Sequence, residues 1–140
     1  MEKWVAYALV SMFFAGFTSV IAKMGLAGIS GELGLTIRTL FVFGFVLAFA
    51  AWAVPTQELA AVSSRNLLWL GLSGVTTSLS WIFYYKALKV GDVATVALID
   101  KGSVVVAMLL AWLVLREVIT MRMVVGAALI VAGLMVIAKK

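Results

Sequence analysis

The sequence contains no cysteine and no histidine, and it has a single proline, Pro55. Without cysteine the chain can form no disulfide framework and carries no thiol site. Without histidine it has no imidazole for a zinc site or for a proton relay. Its six carboxylates are scattered, and no two have the spacing of a metal-binding pair on one helix face. We therefore expect no metal, no cofactor, no catalytic residue and no enzymatic activity.

Charge is scarce as well, because only 12% of the residues are charged while 65% are hydrophobic. An ordinary soluble domain has about 25% charged residues. The chain has too little polar surface to cover a soluble core, so we expect a multi-pass protein of the cytoplasmic (inner) membrane. The cations behind the net charge of +5 lie in short gaps between apolar runs, where topology signals and lipid headgroup contacts are found. No basic stripe or module motif indicates a nucleic-acid partner.

Five apolar segments are long enough to cross a bilayer, which takes about 20 apolar residues. They are residues 4–22, 35–54, 67–87, 93–115 and 118–138. The first is expected to be a transmembrane helix and not a cleaved signal peptide. The gap around 55–66 is the only long one, with a short surface helix at 57–61, so consecutive helices should be antiparallel neighbours. The sequence predicts an all-α integral membrane protein, a bundle of five transmembrane helices in a single domain, 1–140.

The cations divide almost evenly between the two membrane faces of this arrangement. Four fall on the N-terminal face and six on the C-terminal face, Lys139 and Lys140 among the six. Orientation rules depend on asymmetry in this count. Two interpretations follow: a cytoplasmic C-terminus, or dual topology, with copies inserted both ways and paired antiparallel. Small residues at helical spacing, such as Gly126 and Gly133, indicate helix packing faces.

Two adjacent charges, Asp100 and Lys101, lie about two turns inside the fourth segment. A charge near the bilayer centre costs about 2.5–3.5 kcal/mol on insertion scales. Neighbouring residues on a helix point about 100° apart, so these two are not expected to pair with each other. Arg38, at a similar depth in the second segment, is the expected partner of Asp100. Three interpretations stay open: a structural bridge, a cavity-lining pair, or an Arg38 that extends to the headgroups.

The third segment carries a polar face at helical spacing, formed by Ser73, Thr77, Ser80 and Tyr84, with Trp81 beside it. Such a face either makes helix–helix hydrogen bonds or lines a wet cavity. An aromatic rim beside a cation is suited to holding a solute, and the cations on this side would attract anions. The predicted substrate cavity is formed by Arg38, Thr77, Trp81, Tyr84, Asp100 and Lys101.

Five stretches in order carry a family likeness: Ile21–Gly25, Thr36–Leu40, Tyr84–Ser103, Leu113–Glu117 and Val125–Gly133. Together they resemble the EamA-type domains of the drug/metabolite transporter superfamily, in particular its single-domain, five-helix bacterial and archaeal members. The resemblance implies half of a ten-helix transporter built from two inverted five-helix repeats around a central solute cavity. In such folds the site lies at the repeat interface near the midplane. A half-size chain would then need a second, inverted copy of itself, an antiparallel homodimer.

The chain departs from this family at two positions in the fourth segment. Many relatives have proline where Leu98 stands and a bulkier apolar residue where Gly102 stands. Without the proline we expect the fourth helix to run straight. Gly102 then serves either as a flexible point or as a site of close helix packing.

The leading hypothesis is a secondary transporter of a small polar organic solute, metabolite or amino-acid-like, with anions among the candidates. It would work in the lipid bilayer as an antiparallel, dual-topology homodimer. One alternative is a non-transporting scaffold or a subunit of a heteromer, in which the deep charges are structural only. The other is a small multidrug-type cation exporter, which requires a carboxylate free of neighbouring positive charge.

Overall fold

The computed structural model describes residues 2–138, which form helices and turns without a strand. Six α-helices follow one another: α1 (Lys3–Gly25), α2 (Gly31–Ala53), α3 (Ser64–Val90), α4 (Val93–Asp100), α5 (Ser103–Leu110) and α6 (Met121–Ala138). A short 3₁₀ helix, Thr56–Ala61, lies between α2 and α3 where a surface helix was predicted, and a π-helical turn, Ala111–Leu115, follows α5. The all-α prediction is confirmed over this range. The predicted topology cations Lys139 and Lys140 lie outside the described residues.

Four segments are long and apolar enough to cross a membrane: Lys3–Gly25, Gly31–Ala53, Ser64–Val90 and Val93–Leu115. They correspond to the first four predicted spans, and the chain is a multi-pass membrane protein. The last apolar helix is shorter, Met121–Ile137, and starts three residues after the predicted residue 118. Length and composition therefore support four crossings and leave the fifth undecided.

The second helix begins four residues earlier than the predicted residue 35, and the local sequence explains why. Gly28 adopts a φ of +74°, a left-handed conformation that suits glycine, and so reverses the chain after α1. Ser30 then caps α2, because its hydroxyl accepts a hydrogen bond from the Leu33 N–H at 3.2 Å. Glu32 in the first turn complements the positive end of the helix dipole. These short-range signals place Arg38 two turns inside α2 instead of one.

Regular α-helical hydrogen bonding in the fourth segment is interrupted at Lys101 and Gly102, although both residues keep helical φ and ψ angles. That the segment runs straight stays a prediction. Around the interruption the hydrogen bonds tighten to a three-residue spacing, as in Gly102 N–H to the Ile99 carbonyl at 2.9 Å. Such a stretch of 3₁₀ geometry inside an α-helix is often a hinge or a strained point. The interruption follows directly on Asp100, so the two deep charges lie at the break and not on a regular helical turn.

The chain divides into two compact units, residues 20–90 and the split unit formed by 1–19 with 91–140. Within the 20–90 unit, α2 runs antiparallel to α3, as predicted for consecutive helices. Gly31 at the start of α2 lies so close to the Tyr85 carbonyl near the end of α3 that a Cβ there would stand 2.9 Å from that oxygen. The core of this unit consists of Leu26, Tyr85 and Leu88, which are 2%, 4% and 0% exposed.

In the split unit, α4 and α5 both pack against α6. Gly102 meets Leu134 of α6 closely, since a Cβ at Gly102 would lie 3.0 Å from the Leu134 Cδ1 atom. Gly102 therefore serves close packing, the second of its two predicted roles. Gly126 and Gly133 of α6 are different, because a Cβ at either would meet nothing within 4 Å. Their predicted packing partner is not found in the described part of the chain.

Candidate functional site

Asp100 and Lys101 form an ion pair in the split unit, with the Lys101 Nζ atom 3.5 Å from the Asp100 Oδ2 atom. The expectation that these neighbours do not pair is therefore wrong. The four-carbon stem of lysine is long and flexible enough to fold back over the preceding residue. The side chains are still 38% and 56% exposed for Asp100 and Lys101. The pair is thus accessible, although it lies about 10 Å inside an apolar span that begins at Val93.

In the 20–90 unit, the Arg38 guanidinium of α2 is stacked on aromatic rings of α3. Its Cζ atom lies 4.2 Å from the centre of the Trp81 ring and 5.9 Å from that of Tyr85. Both distances are within the range of cation–π attraction. The Nη1 atom of Arg38 is buried and has no hydrogen-bond partner within residues 2–138. Arg38 is therefore held against the two rings, while at least one of its N–H donors has no acceptor in this range.

Three lysines of this unit have specific local partners. Lys86 lies 3.4 Å from the Glu32 carboxylate. Lys23 at the end of α1 donates a 2.6 Å hydrogen bond to the Leu88 carbonyl at the end of α3. Lys89 donates in return to the Leu26 carbonyl at 2.9 Å, just past the end of α1. Lys23 and Lys89 thus cap the negative C-terminal ends of each other's helices, a contact that favours cations.

The polar face predicted on α3 makes no helix–helix hydrogen bond through Thr77 or Ser80 within the described chain, and both side chains are exposed. Neighbouring hydroxyl groups instead bond to carbonyls of their own helix, as Ser78 does to the Gly74 carbonyl at 2.9 Å. Tyr84 is half-buried, with its ring centre 6.4 Å from that of Tyr85. Both predicted roles for this face, helix–helix hydrogen bonding and the lining of a wet cavity, stay predictions.

A groove of about 480 Å³ lies between α2 and α3. It is lined by both polar and apolar side chains: Glu32, Leu35, Thr36, Thr39, Leu40, Ser78, Trp81 and Ile82. Trp81 belongs both to this groove and to the Arg38 stack. The groove therefore has an indole wall whose ring is also in contact with a guanidinium.

The six predicted site residues fall into two groups. Arg38, Thr77, Trp81 and Tyr84 belong to the 20–90 unit, where Arg38 and Trp81 are in contact. Asp100 and Lys101 belong to the split unit and contact each other. The predicted Asp100–Arg38 ion pair joins the two units and stays a prediction.

Sequence reasoning missed Tyr85 and the Glu32–Lys86 pair. Tyr85 could have been found, because it stands four residues after Trp81 and therefore on the same face of α3. Glu32 and Lys86 lie directly beside Gly31 and Tyr85, whose backbones touch, so the antiparallel register brings them together. No sequence pattern shows that register before the helices are packed. Within the described residues no three Asp or Glu side chains gather into a possible metal site.

Comparison with known proteins assigns the chain to a family of transporters. The sequence profile described as the EamA-like transporter family matches residues 2–139. A curated protein of a Sinorhizobium species, described as an "uncharacterized transporter in cobO 3'region", is 36% identical over 137 residues. The match covers 98% of this chain and 97% of that protein, so the two are nearly equal in length. No solved structure matches the chain significantly.

Proposed function

Because the chain belongs to the EamA-like transporter family, we propose that it is a secondary transporter of a small polar organic solute, metabolite or amino-acid-like. The proposed site is formed by Arg38, Thr77, Trp81, Tyr84, Asp100 and Lys101. The transporter works in the cytoplasmic (inner) membrane as an antiparallel, dual-topology homodimer around a central cavity. Each chain contributes one domain of five crossings, the fifth made by α6.

The observation that carries this proposal is the exposed ion pair inside an apolar span. Asp100 and Lys101 keep 38% and 56% of their side chains exposed. A charged side chain that faces the hydrocarbon core carries a high free-energy cost. Charged residues in membrane spans therefore face the bundle interior or a water-filled cavity. A second chain and a wet cavity would supply such an environment.

Further features of α6 support a second chain. Its 18 residues extend about 27 Å, close to the thickness of the hydrocarbon core. Gly126 and Gly133 lie on it with open space where a Cβ would project. In lipid, helices associate through small residues that allow close approach. The relative of nearly equal length also agrees with a short chain that completes its transporter by pairing.

A cation exporter of the small multidrug type fits less well. Such a site needs a carboxylate without a neighbouring positive charge. In the described chain Glu32 lies 3.4 Å from Lys86, and Asp100 lies 3.5 Å from Lys101. A scaffold or heteromer subunit has no observation in its favour that the transporter lacks.

The absence of cysteine allows a direct test of dual insertion. Single cysteines are placed in the α1–α2 turn (Ala27→Cys) and in the 3₁₀ segment after α2 (Thr56→Cys), both exposed. A membrane-impermeant maleimide is then applied to intact cells and to permeabilised cells. We expect each cysteine to be labelled only in part from outside and completely after permeabilisation. Labelling of one variant in full and the other not at all would establish a single orientation and refute the antiparallel homodimer.

Transport itself is tested in proteoliposomes loaded with labelled amino acids and small organic acids. We expect release through the wild-type protein, and loss of release when Arg38, Asp100 and Lys101 are neutralised together. Release that continues unchanged in the triple variant would remove these side chains from the site.

A further inference from the structure

The Arg38 guanidinium has an N–H donor without an acceptor among the described residues, and this donor indicates the kind of ligand that the site binds. We propose that Arg38 is the group that recognises the solute, and that it binds a singly charged oxyanion, the carboxylate of an organic acid or a zwitterion. This inference rests on the proposed transport function and adds the chemical class of the ligand. It assigns Trp81 and Tyr85 as the residues that hold Arg38 in place.

The stacking geometry fixes the guanidinium without using its hydrogen bonds. The Arg38 Cζ atom lies 4.2 Å above the Trp81 ring and 5.9 Å from the Tyr85 ring. Tyr85 is itself only 4% exposed, so its ring is held by the core of the unit. Cation–π contacts engage the flat face of a guanidinium, whereas its five N–H bonds lie in the plane. The aromatic residues therefore hold the Arg38 guanidinium without using its N–H donors.

At least one of those donors has nothing to bond to. The Arg38 Nη1 atom is buried and lacks an acceptor within residues 2–138. A buried donor without a partner is costly, and more so on a charged group. A planar carboxylate satisfies two parallel guanidinium N–H groups at once, which gives both strength and direction. An arriving oxyanion would thus remove an existing penalty as well as form new bonds.

Charge matching favours a ligand of one negative charge. Lys86 and Lys101 each already have a carboxylate partner. Lys23 and Lys89 donate to main-chain carbonyls at helix ends. Within the described residues, the cation that stacks on the aromatic rings is Arg38, and no carboxylate lies within ion-pair distance of it. A monoanion matches it, whereas a dianionic phosphate would bring a second charge with no cation assigned to it.

Trp81 provides the readout, because it contacts Arg38 directly. The other four tryptophans, all more than half exposed, are changed to phenylalanine: Trp4, Trp52, Trp69 and Trp112. The protein is placed in phosphatidylcholine nanodiscs and titrated with benzoate, and separately with benzamide, a neutral analogue of the same shape. We expect benzoate to change the Trp81 emission with saturation, and benzamide to bind about tenfold more weakly or not at all.

Three variants identify the group responsible. Arg38→Gln should weaken benzoate binding about tenfold or more, since it removes a charge-assisted bidentate contact. Arg38→Lys keeps the charge but not the planar fork, and should also weaken it; this variant covers the case that Arg38→Gln fails to fold. Arg65→Gln removes an exposed arginine of α3 and should have no effect. Equal benzoate affinity in wild-type, Arg38→Gln and Arg38→Lys protein would overturn the assignment, as would no benzoate response at all.

Two further measurements test whether the oxyanion at Arg38 is instead a lipid headgroup or the Asp100 carboxylate. If phosphatidylglycerol in the nanodisc changes the Trp81 emission through Arg38 and benzoate does not compete, the site binds a lipid headgroup and the solute assignment is wrong. If Asp100→Asn raises the benzoate affinity, Asp100 occupies Arg38 in the resting protein and the donor edge is not free. We expect neither. The release assay and the maleimide labelling test the proposed transporter separately. If the protein releases solute but does not bind benzoate through Arg38, only the present inference is refuted.

Discussion

The two units of the chain use charge and packing in opposite ways. In the 20–90 unit, Leu26, Tyr85 and Leu88 are almost fully buried, and Lys23 and Lys89 are tied to helix ends. In the split unit, only Ala127 of the described residues reaches 9% exposure or less. There the fourth segment is interrupted at its charges and ends in a π-helical turn. Regular, capped structure surrounds the aromatic–arginine stack, whereas irregular structure surrounds the exposed ion pair.

From this difference we expect the 20–90 unit to be the more rigid of the two and the split unit to be the more mobile. Dense packing and satisfied helix ends give high local stability, whereas few buried contacts and irregular hydrogen bonding give low local stability. A transporter needs both, a fixed element that presents the binding group and an element that rearranges. We expect the 20–90 unit to resist local opening and the segment around Lys101 and Gly102 to open first.

The largest effect should come from the core of the 20–90 unit. Leu88→Ala removes a side chain that is 0% exposed, and should lower the free energy of unfolding by about 2–5 kcal/mol. Leu109→Ala in α5, where leucine is 49% exposed, is the matched control and should cost much less. Both are measured by unfolding in mixed micelles with sodium dodecyl sulfate, followed by circular dichroism. Equal losses would remove the contrast between the units.

The helix-end lysines should give the next largest effect. Lys23→Met removes the ammonium that donates to the Leu88 carbonyl at 2.6 Å, and should cost about 1–2 kcal/mol of unfolding free energy. Lys23→Arg should restore part of this, and Lys3→Met, at the exposed start of α1, should cost little. The same variants are scored for orientation by maleimide labelling. A change in orientation without a change in stability would make Lys23 a topology signal instead of a cap.

Substitutions in the Asp100–Lys101 ion pair should change solute release strongly and the free energy of unfolding only slightly. Asp100→Asn and Lys101→Gln each should reduce solute release about tenfold or more, because a deep charge loses its partner. Their unfolding free energies should fall by less than about 1 kcal/mol, since exposed ion pairs contribute little. Glu58→Gln, in the 3₁₀ segment, is the control for loss of a carboxylate. A large loss of stability with normal release would support a structural bridge.

The site residues that the sequence singled out are those whose chemical type differs from that of the surrounding segment. Asp100, Lys101 and Arg38 stand out because charge is rare in apolar spans. Trp81 was predicted beside Lys101, whereas the structure stacks Arg38 on its ring. The even cation count and the family likeness led to the antiparallel dimer, which stays a prediction. The helical class followed from apolar runs of spanning length.

The parts that sequence reasoning missed depend on main-chain partners or on register. Lys23 and Lys89 lie in the short gaps between apolar runs where topology signals are expected, and their carbonyl acceptors leave no mark in the sequence. Helical spacing places Tyr85 on the Trp81 face of α3, but only the packing of α2 on α3 brings Arg38 beside it. The break at Gly102 was missed because proline, the usual cause of a kink, is absent from the segment.

The end of the π-helical turn gives the smallest predicted effect and a test of strain in the split unit. Arg116 has a φ of 56° and a ψ of 33°, the left-handed conformation that glycine usually supplies after a helix. A side chain in this conformation costs about 1 kcal/mol or somewhat more. Arg116→Gly should therefore raise the unfolding free energy by about 0.5–1 kcal/mol, less the entropy that glycine adds to the unfolded chain. Arg116→Ala removes the same charge but keeps the Cβ, so it should give no gain. If Arg116→Gly and Arg116→Ala stabilise the protein equally, the gain comes from removal of the charge. The left-handed conformation of Arg116 would then store no backbone strain.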